Sequence, residues 1–259
     1  MVTEALCQVL SRVRGFELGL LDFIKRRIWV SKHKKRVTDV PEFDVTTPTK
    51  PRSFGYKTSW LAIKSQDAEG VSEALNLKPK HHVNWECGMT RSIGRPEFGF
   101  IGVFATPPVD GWILVLGIAD YLPTDINRFV ALMKKLSVQF GQAHFYGSDR
   151  RVGYSAWGKW ISGETIRYFS CVEDDVANIG HTTEEEEVML GSPDLTGMSP
   201  AQYLIAIEKG MSFFPNESEV LSLAGLWSID PSELDDLVDD GELDFDESQL
   251  GILGTPNLS

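Results

Sequence analysis

Three residues of the chain have the types needed for nucleophilic catalysis: Cys171, His144 and Arg167. A histidine within hydrogen-bond reach of a cysteine can take the proton of the thiol, and a nearby arginine lowers the thiol pKa. The competing interpretation is structural, because free cysteine is among the most frequently buried residue types. Since no motif brings these three residues together, the sequence favours a protein that is not an enzyme and leaves the enzymatic interpretation as an alternative.

Other catalytic and metal-binding patterns are weaker. His81, His82, Glu86 and Cys87 are close in sequence, but alternate residues of a strand point to opposite faces, so at most two of them can meet at one ion. The acidic C-terminal segment matches part of an EF-hand loop, but Val238 occupies the third ligand position. The sequence contains neither a P-loop nor a G-x-G-x-x-G motif. We therefore predict no metal site and no cofactor.

The charge distribution is the clearest functional signal. The chain has 25 Lys and Arg residues against 37 Asp and Glu residues, a net charge of -12, and no Lys or Arg follows Lys209. Such a surface repels nucleic acid and attracts basic proteins. The alternative is that the carboxylates only keep the surface solvated. The predicted partner-binding residues are Glu184, Glu185, Glu186, Glu187, Asp235, Asp236, Asp239, Asp240, Glu242, Asp244 and Asp246.

The elements that must position these residues indicate an α+β fold. The segment from Asp125 to Phe140 has apolar residues at helical spacing, follows Pro123-Thr124 and stops at Gly141. Alternating segments such as KTSWLAIKS predict strands, and Ser162-Gly163 predicts a two-residue hairpin turn. We expect a mixed, largely antiparallel sheet with one long packed helix and a C-terminal helical segment.

The hairpin across this turn carries aromatic side chains on both faces, so we expect it to be covered on both sides. If Ile161 pairs with Glu164, Trp157 lies opposite Tyr168. In the enzymatic alternative, a ligand pocket lies against residues 152–173.

Composition divides the chain into six segments. The first, residues 1–45, is an N-terminal helix with a basic tract. An apolar helix followed by cations is typical of peripheral membrane contact, here through residues 3–36, although packing on the body is the alternative. The others are a linker (46–56), the α+β core (57–173), an acidic connection (174–198), a small helical segment packed on the core (199–238) and an acidic tail (239–259) that we expect to be loosely held.

The cysteines and the hydropathy pattern bear on the compartment. Three cysteines without a C-x-x-C pair argue against a disulfide framework. The sequence has no stretch of about 18 uncharged apolar residues. We therefore predict a cytoplasmic protein.

Five segments are notable together: SWLAIKS, TPPVDGWILVLG, FGQAHFYGSDRRVGYSAWGKW, TIRYFSCV and VLSLAGLWSIDPSEL. They resemble a group of functionally uncharacterised bacterial proteins, and the resemblance covers about residues 57–232. It implies an immunity or accessory partner of a secreted toxin, and it carries over no catalytic residue. Together with the acidic character, it predicts a non-enzymatic immunity protein that neutralises a basic cognate toxin by direct binding. The alternative is a small-molecule enzyme or ligand-binding protein.

Overall fold

The computed structural model describes residues 45–93, 102–172, 175–211 and 215–257. The N-terminal helix, the basic tract and the membrane contact predicted for residues 3–36 lie outside this part of the chain. The strands are β1 (Ser59–Lys64), β2 (Leu77–Val83), β3 (Val103–Ala105), β4 (Trp112–Leu116), β5 (Gln142–Asp149), β6 (Tyr154–Ile161), β7 (Glu164–Val172), β8 (Asp175–Gly180) and β9 (Gly251–Pro256). The helices are α1 (Ala68–Ala74), α2 (Trp85–Ser92), α3 (Ile126–Phe140), α4 (Glu184–Leu190), α5 (Pro200–Glu208), α6 (Glu217–Trp227) and α7 (Leu234–Asp240).

One nine-stranded sheet organises these elements. Its strand order is β2-β9-β3-β4-β1-β5-β6-β7-β8, and each neighbouring pair is antiparallel. The predicted α+β fold with a largely antiparallel sheet is therefore confirmed. None of the described helices is long and apolar enough to cross a membrane.

Helices cover both faces of the sheet. On one face, called the α3 face, Phe129, Met133 and Leu136 of helix α3 belong to a buried apolar cluster. On the opposite face, called the α6 face, Val220 and Leu223 of helix α6 belong to a second cluster. A strand that is buried on both sides is a continuous apolar run, and β4 is the example: its five residues, WILVL, are all buried.

Helix α3 has the boundaries that its sequence predicts. The Asp125 side chain accepts a hydrogen bond of 2.9 Å from the backbone N–H of Arg128 and so caps the first turn. Gly141 follows the last residue at φ 83°, a backbone conformation that favours glycine. The expected long packed helix is confirmed.

The predicted register of the β6–β7 hairpin is wrong beyond its turn. Ile161 pairs with Glu164 as expected. A β-bulge then places Trp157 opposite Phe169 instead of Tyr168, and the Trp157 and Phe169 rings stack with their centroids 4.8 Å apart.

This bulge decides which face of the sheet receives Arg167. Ile166 is the extra residue, and Arg167 pairs with Lys159. Because a shift of one residue moves a side chain to the other face, Arg167 would point to the apolar α3 face without the bulge. With the bulge it lies on the α6 face, where it meets Glu186.

The C-terminal residues form an internal strand. The expectation of a loosely held tail is wrong for Gly251–Pro256, because β9 pairs with β2 on one side and with β3 on the other. The strand's two glycines allow this close approach: a Cβ atom at Gly251 would collide with the Phe104 ring, and one at Gly254 would crowd the carbonyl oxygen of Pro79.

The expected linker packs against the C-terminal helices. Phe54 is buried edge-on against Trp60, with ring centroids 5.8 Å apart, and its N–H donates to the carbonyl oxygen of Pro231 at 2.9 Å. The Ser53 N–H donates to Asp235 Oδ2 at 3.2 Å, and the Asp235 N–H donates to Ser53 Oγ at 2.9 Å. The first described residues are therefore fixed to the region around α7.

Leu253→Ala tests whether β9 is part of the cooperative core. Leu253 is buried in the α6-face cluster, so we expect its truncation to lower the free energy of unfolding by about 2–5 kcal/mol in urea titration. The matched control is Leu226→Ala, a half-exposed position that should lose less than about 1 kcal/mol. Equal, small losses for both variants would contradict the assignment of β9 to the core.

Candidate functional site

A row of nitrogen-bearing side chains crosses the α6 face. His144 of β5 pairs with Lys159 of β6, and Lys159 pairs with Arg167 of β7, so the three residues lie side by side on adjacent strands. Cys171 lies on the same face but four residues further along β7, a separation of about 13 Å from Arg167 at the usual strand rise. The structure thus brings His144 and Arg167 into one row, with Lys159 between them, and leaves Cys171 apart.

Arg167 forms a buried ion pair with Glu186 of helix α4. Both side chains are fully buried, and the Arg167 Nε–H lies 2.8 and 3.0 Å from the two carboxylate oxygens. Trp157 Nε1–H donates to the same carboxylate at 2.8 Å, and the backbone N–H of Thr183 donates to it at 3.0 Å. Because Thr183 is also the N-cap of α4, one carboxylate both caps the helix and fixes it to the sheet.

The other end of the guanidinium fixes the edge of the sheet. Arg167 Nη1 donates to Asn178 Oδ1 on β8 at 2.6 Å. The amide of Asn178 in turn donates to the carbonyl oxygens of Leu195 and Met198 at 2.8 and 2.6 Å. Through these bonds Arg167 connects α4, β8 and the loop that follows α4.

His144 lies at the start of a chain of buried hydrogen bonds. Its Nδ1 is 3.2 Å from the Tyr146 hydroxyl, which is 3.0 Å from Ser228 Oγ, and the Ser228 hydroxyl reaches the Ala224 carbonyl oxygen at 3.1 Å. All three bonds can form at once only if Ser228 donates to Ala224, Tyr146 donates to Ser228 and His144 donates from Nδ1. The geometry thus assigns the Nδ1–H tautomer.

The same surroundings keep His144 neutral. Burial, followed by the charges of Lys159 and Lys64, lowers the pKa of His144 to about 3. A group with so low a pKa carries no proton at neutral pH and is a weak base. Nε2 makes no hydrogen bond with any residue that the structure describes.

Cys171 lacks the features of an activated nucleophile. Burial raises the pKa of its thiol to about 11. Arg167, which the sequence suggested as the group that lowers this pKa, is paired with Glu186 instead. His144, Arg167 and Cys171 make no hydrogen bonds with one another in the described part of the chain.

The predicted partner-binding acids divide by burial. Glu186 is fully buried, which does not fit direct contact with a partner. Glu185 is half-buried: burial alone would raise its pKa, but hydrogen bonds from its own backbone N–H and from Thr183, with Lys159 nearby, lower it. The exposed residues are Glu184, Glu187, Asp235, Asp236, Asp239, Asp240, Glu242, Asp244 and Asp246.

Seven of these exposed acids, from Asp235 to Asp246, form what we call the acidic surface, on α7 and the loop that follows it. Asp235 pairs with Arg52 at 3.3 Å. The Asp244 N–H donates to Asp110 Oδ1 at 2.8 Å, and the Asp110 N–H donates to the Asp244 carbonyl oxygen at 2.8 Å. The acidic surface is therefore fixed to the body at two points. Within the described residues, the carboxylates without a Lys or Arg partner include Asp236, Asp239, Asp240 and Glu242.

Sequence reasoning missed Lys159 and Trp227. Lys159 Nζ lies 3.8 Å from Glu185 Oε1 and 5.1 Å from the centre of the Trp227 ring, so it joins α4 to the end of α6. The available signal was a lysine between Trp157 and Trp160 in a strand that has no other charged residue. Among the described residues, no group of three or more His, Cys, Asp or Glu side chains could hold a metal ion.

Removing either partner of the buried pair should destabilise the fold. We expect Arg167→Met or Glu186→Leu alone to cost about 3–5 kcal/mol in unfolding free energy, because each leaves an uncompensated buried charge. The double variant should lose much less than the sum of the two. The control cycle, Lys159→Met with Glu185→Leu, concerns a partly exposed pair and should show a coupling below about 1 kcal/mol. Similar coupling energies in both cycles would contradict a dominant role for the buried pair.

His144 should give stability a dependence on pH. Its pKa lies near 3 in the folded protein and near 6.5 in an unfolded chain, so the unfolded state binds the extra proton as the pH falls between these values. Stability should therefore fall with decreasing pH by up to about 1.4 kcal/mol per unit from this group, and His144→Gln should remove that slope. His82→Gln, at an exposed histidine, is the control. Nitrogen NMR should show the Nδ1–H tautomer without titration between about pH 5 and pH 8, and a titration there would overturn the assignment.

No protein-family model, curated protein or solved structure matches this chain.

Proposed function

We propose that this chain is a non-enzymatic binding protein: an acidic bacterial immunity protein that binds a basic cognate toxin directly and neutralises it in the cytoplasm. The observation that carries the proposal is the acidic surface. Its seven carboxylates are exposed, Asp235 alone pairs with a Lys or Arg among the described residues, and no Lys or Arg follows Lys209 in the sequence. A surface with an excess of one charge steers a partner of the opposite charge and selects against others.

The rigidity of the acidic surface supports a binding role. Hydrogen bonds donated by backbone N–H groups join Asp244 to Asp110 and Asp235 to Ser53, so the carboxylates are presented from an ordered backbone. Preorganised groups lose less conformational entropy on binding, and more of their attraction remains as affinity. An ordered loop from Gly241 to Leu250 supports a binding role better than a loosely held tail would.

The geometry of the alternative site also favours a non-enzymatic role. His144 is neutral and buried, and Arg167 is paired with Glu186. Burial raises the pKa of the Cys171 thiol. Nucleophilic catalysis needs a base and a nucleophile in contact, and these groups are not in contact. The three residues are better explained as parts of the core of the α6 face.

Co-purification from the native host tests the proposal. The tagged full-length chain should retain a basic protein, and identification by mass spectrometry should show one whose isolated activity is inhibited by the chain. Retention should weaken as the salt concentration rises above about 0.15 M, because screening shortens the reach of exposed charges. Recovery of small molecules alone, or of nothing, would end the immunity interpretation.

Asp240→Asn with Glu242→Gln should weaken binding of the captured protein about three- to tenfold, mainly through slower association. The matched control is Glu73→Gln with Glu164→Gln, which removes the same number of charges at exposed acids paired with lysines elsewhere on the surface. If both pairs of substitutions had the same effect, net charge and not the acidic surface would account for binding.

A further inference from the structure

The end of helix α6 lies between the two acidic regions. On one side, Lys159 Nζ contacts Glu185 of α4 at 3.8 Å and the Trp227 ring at 5.1 Å. On the other side, the ring of Trp227 is 6.1 Å from that of His144, which is 4.9 Å from that of Trp112. These contacts place the last residue of α6 between helix α4 and the turn that precedes β4.

That turn is hydrogen-bonded to part of the acidic surface. The Val109 N–H donates to the Trp112 carbonyl oxygen at 2.8 Å, which closes the turn, and Val109 forms an isolated β-bridge with Phe245. Asp110 and Asp244 exchange the two hydrogen bonds described above. Carboxylates therefore lie on both sides of the α6 terminus: those of α4 on one side and those of the loop after α7 on the other.

Two exposed apolar side chains flank the contact that Lys159 makes between the helices: one adjoins Trp227 on α6, and the other lies one turn from Glu185 on α4. Leu226, the penultimate residue of α6, is 50 % exposed, and Val188, one turn along α4 from Glu185, is 74 % exposed. On α4 the remaining exposed positions include Glu184 and Glu187. A single exposed apolar residue is ordinary, but two of them on packed neighbouring helices with an acidic surround have the apolar centre and charged rim of a protein interface.

We propose that Val188 and Leu226 form the centre of a docking face for a cationic amphipathic segment of a partner protein. The inference rests on the proposed function and adds the chemistry of the partner, which must present apolar side chains flanked by Lys or Arg. Charge complementarity selects this occupant, because helix α4 contains no basic residue and none follows Lys209.

The anchoring of α4 makes the docking face rigid. Glu186, on the inner side of the same short helix, is held by Arg167 and Trp157, so Val188 is presented at a fixed position. Apolar burial then supplies affinity that salt does not screen, while the carboxylates supply attraction that salt does screen. The two contributions can therefore be separated by experiment.

Synthetic peptides of about 14 residues, long enough for roughly four helical turns, are suitable probes. One peptide has leucines on one face and lysines on the other. A second replaces the leucines with glutamines at the same charge, and a third replaces the lysines with glutamates. We expect the Leu/Lys peptide to bind the full-length chain at least about tenfold more tightly than the Gln/Lys peptide in fluorescence anisotropy, and the Leu/Glu peptide not to bind.

Val188→Ser with Leu226→Ser should remove this tenfold preference, with residual salt-dependent attraction left in place. The matched control is Val138→Ser, which changes a side chain that is 68 % exposed on helix α3 and should leave the preference unchanged. Since all three positions are exposed, thermal unfolding should show that the variants fold. An unchanged preference in the double variant, or equal binding of the Leu/Lys and Gln/Lys peptides, would overturn the docking face.

A second copy of the chain is the other possible occupant, and light scattering distinguishes it. A wild-type dimer that the double serine variant dissociates would make this face a self-association surface and overturn the proposal. The peptide result is also separable from the proposed function. If the chain shows no preference for the Leu/Lys peptide but still captures a basic protein, only the docking face is refuted. If the chain captures no protein, the immunity role is refuted.

Discussion

The buried pair of Arg167 and Glu186 is the constraint on which the α6 face depends. Moving two charges out of water costs several kcal/mol for each ion, so such a pair persists only when further hydrogen bonds offset much of that cost. Within the described residues, Arg167 Nη2 is the guanidinium nitrogen that has no hydrogen-bond partner. Here the carboxylate also accepts from Trp157 and from the N-terminus of α4, and the guanidinium also donates to Asn178. A surface helix, a core tryptophan and the edge strand β8 are thereby tied to one point. The bulge at Ile166 is part of the same arrangement, because it turns Arg167 to the face on which Glu186 lies.

This anchoring separates the carboxylates of the molecule by role. Glu186 is structural, and Glu185 and Asp235 are partly engaged by Lys159 and Arg52. The exposed acids belong to the same segments as these three residues, whose contacts fix the backbone. A chain of aromatic contacts through Trp227 and Trp112 fixes the spacing between helix α4 and the loop after α7. The same packing therefore holds the paired acids inside the protein and keeps the unpaired acids exposed at its surface.

Local signals predicted the parts of this fold that local interactions determine. Asp125 and Gly141 mark the ends of α3, and Ser162-Gly163 forms the predicted two-residue turn between β6 and β7. The bulge, the partner of Glu186 and strand β9 depend on contacts between residues far apart in sequence, and no periodicity or cap reports them. The site was recovered in part for the same reason: residue types suggested His144 and Arg167, but only tertiary packing shows that they are parts of the core.

The position of β9 has a consequence for the order of folding. Strand β2 has hydrogen-bonded pairing only to β9 within the described sheet, and β3 has β9 as its second neighbour. During synthesis, β2 therefore leaves the ribosome long before β9, its strand partner in the described sheet, and more than half of the chain intervenes. Until residues 251–256 emerge, the nascent protein carries an unmatched strand at one end of an incomplete sheet, a state prone to wrong pairing with other chains. Folding that begins with the hairpins of β5 to β8 can proceed earlier, so the two halves of the sheet should mature at different times.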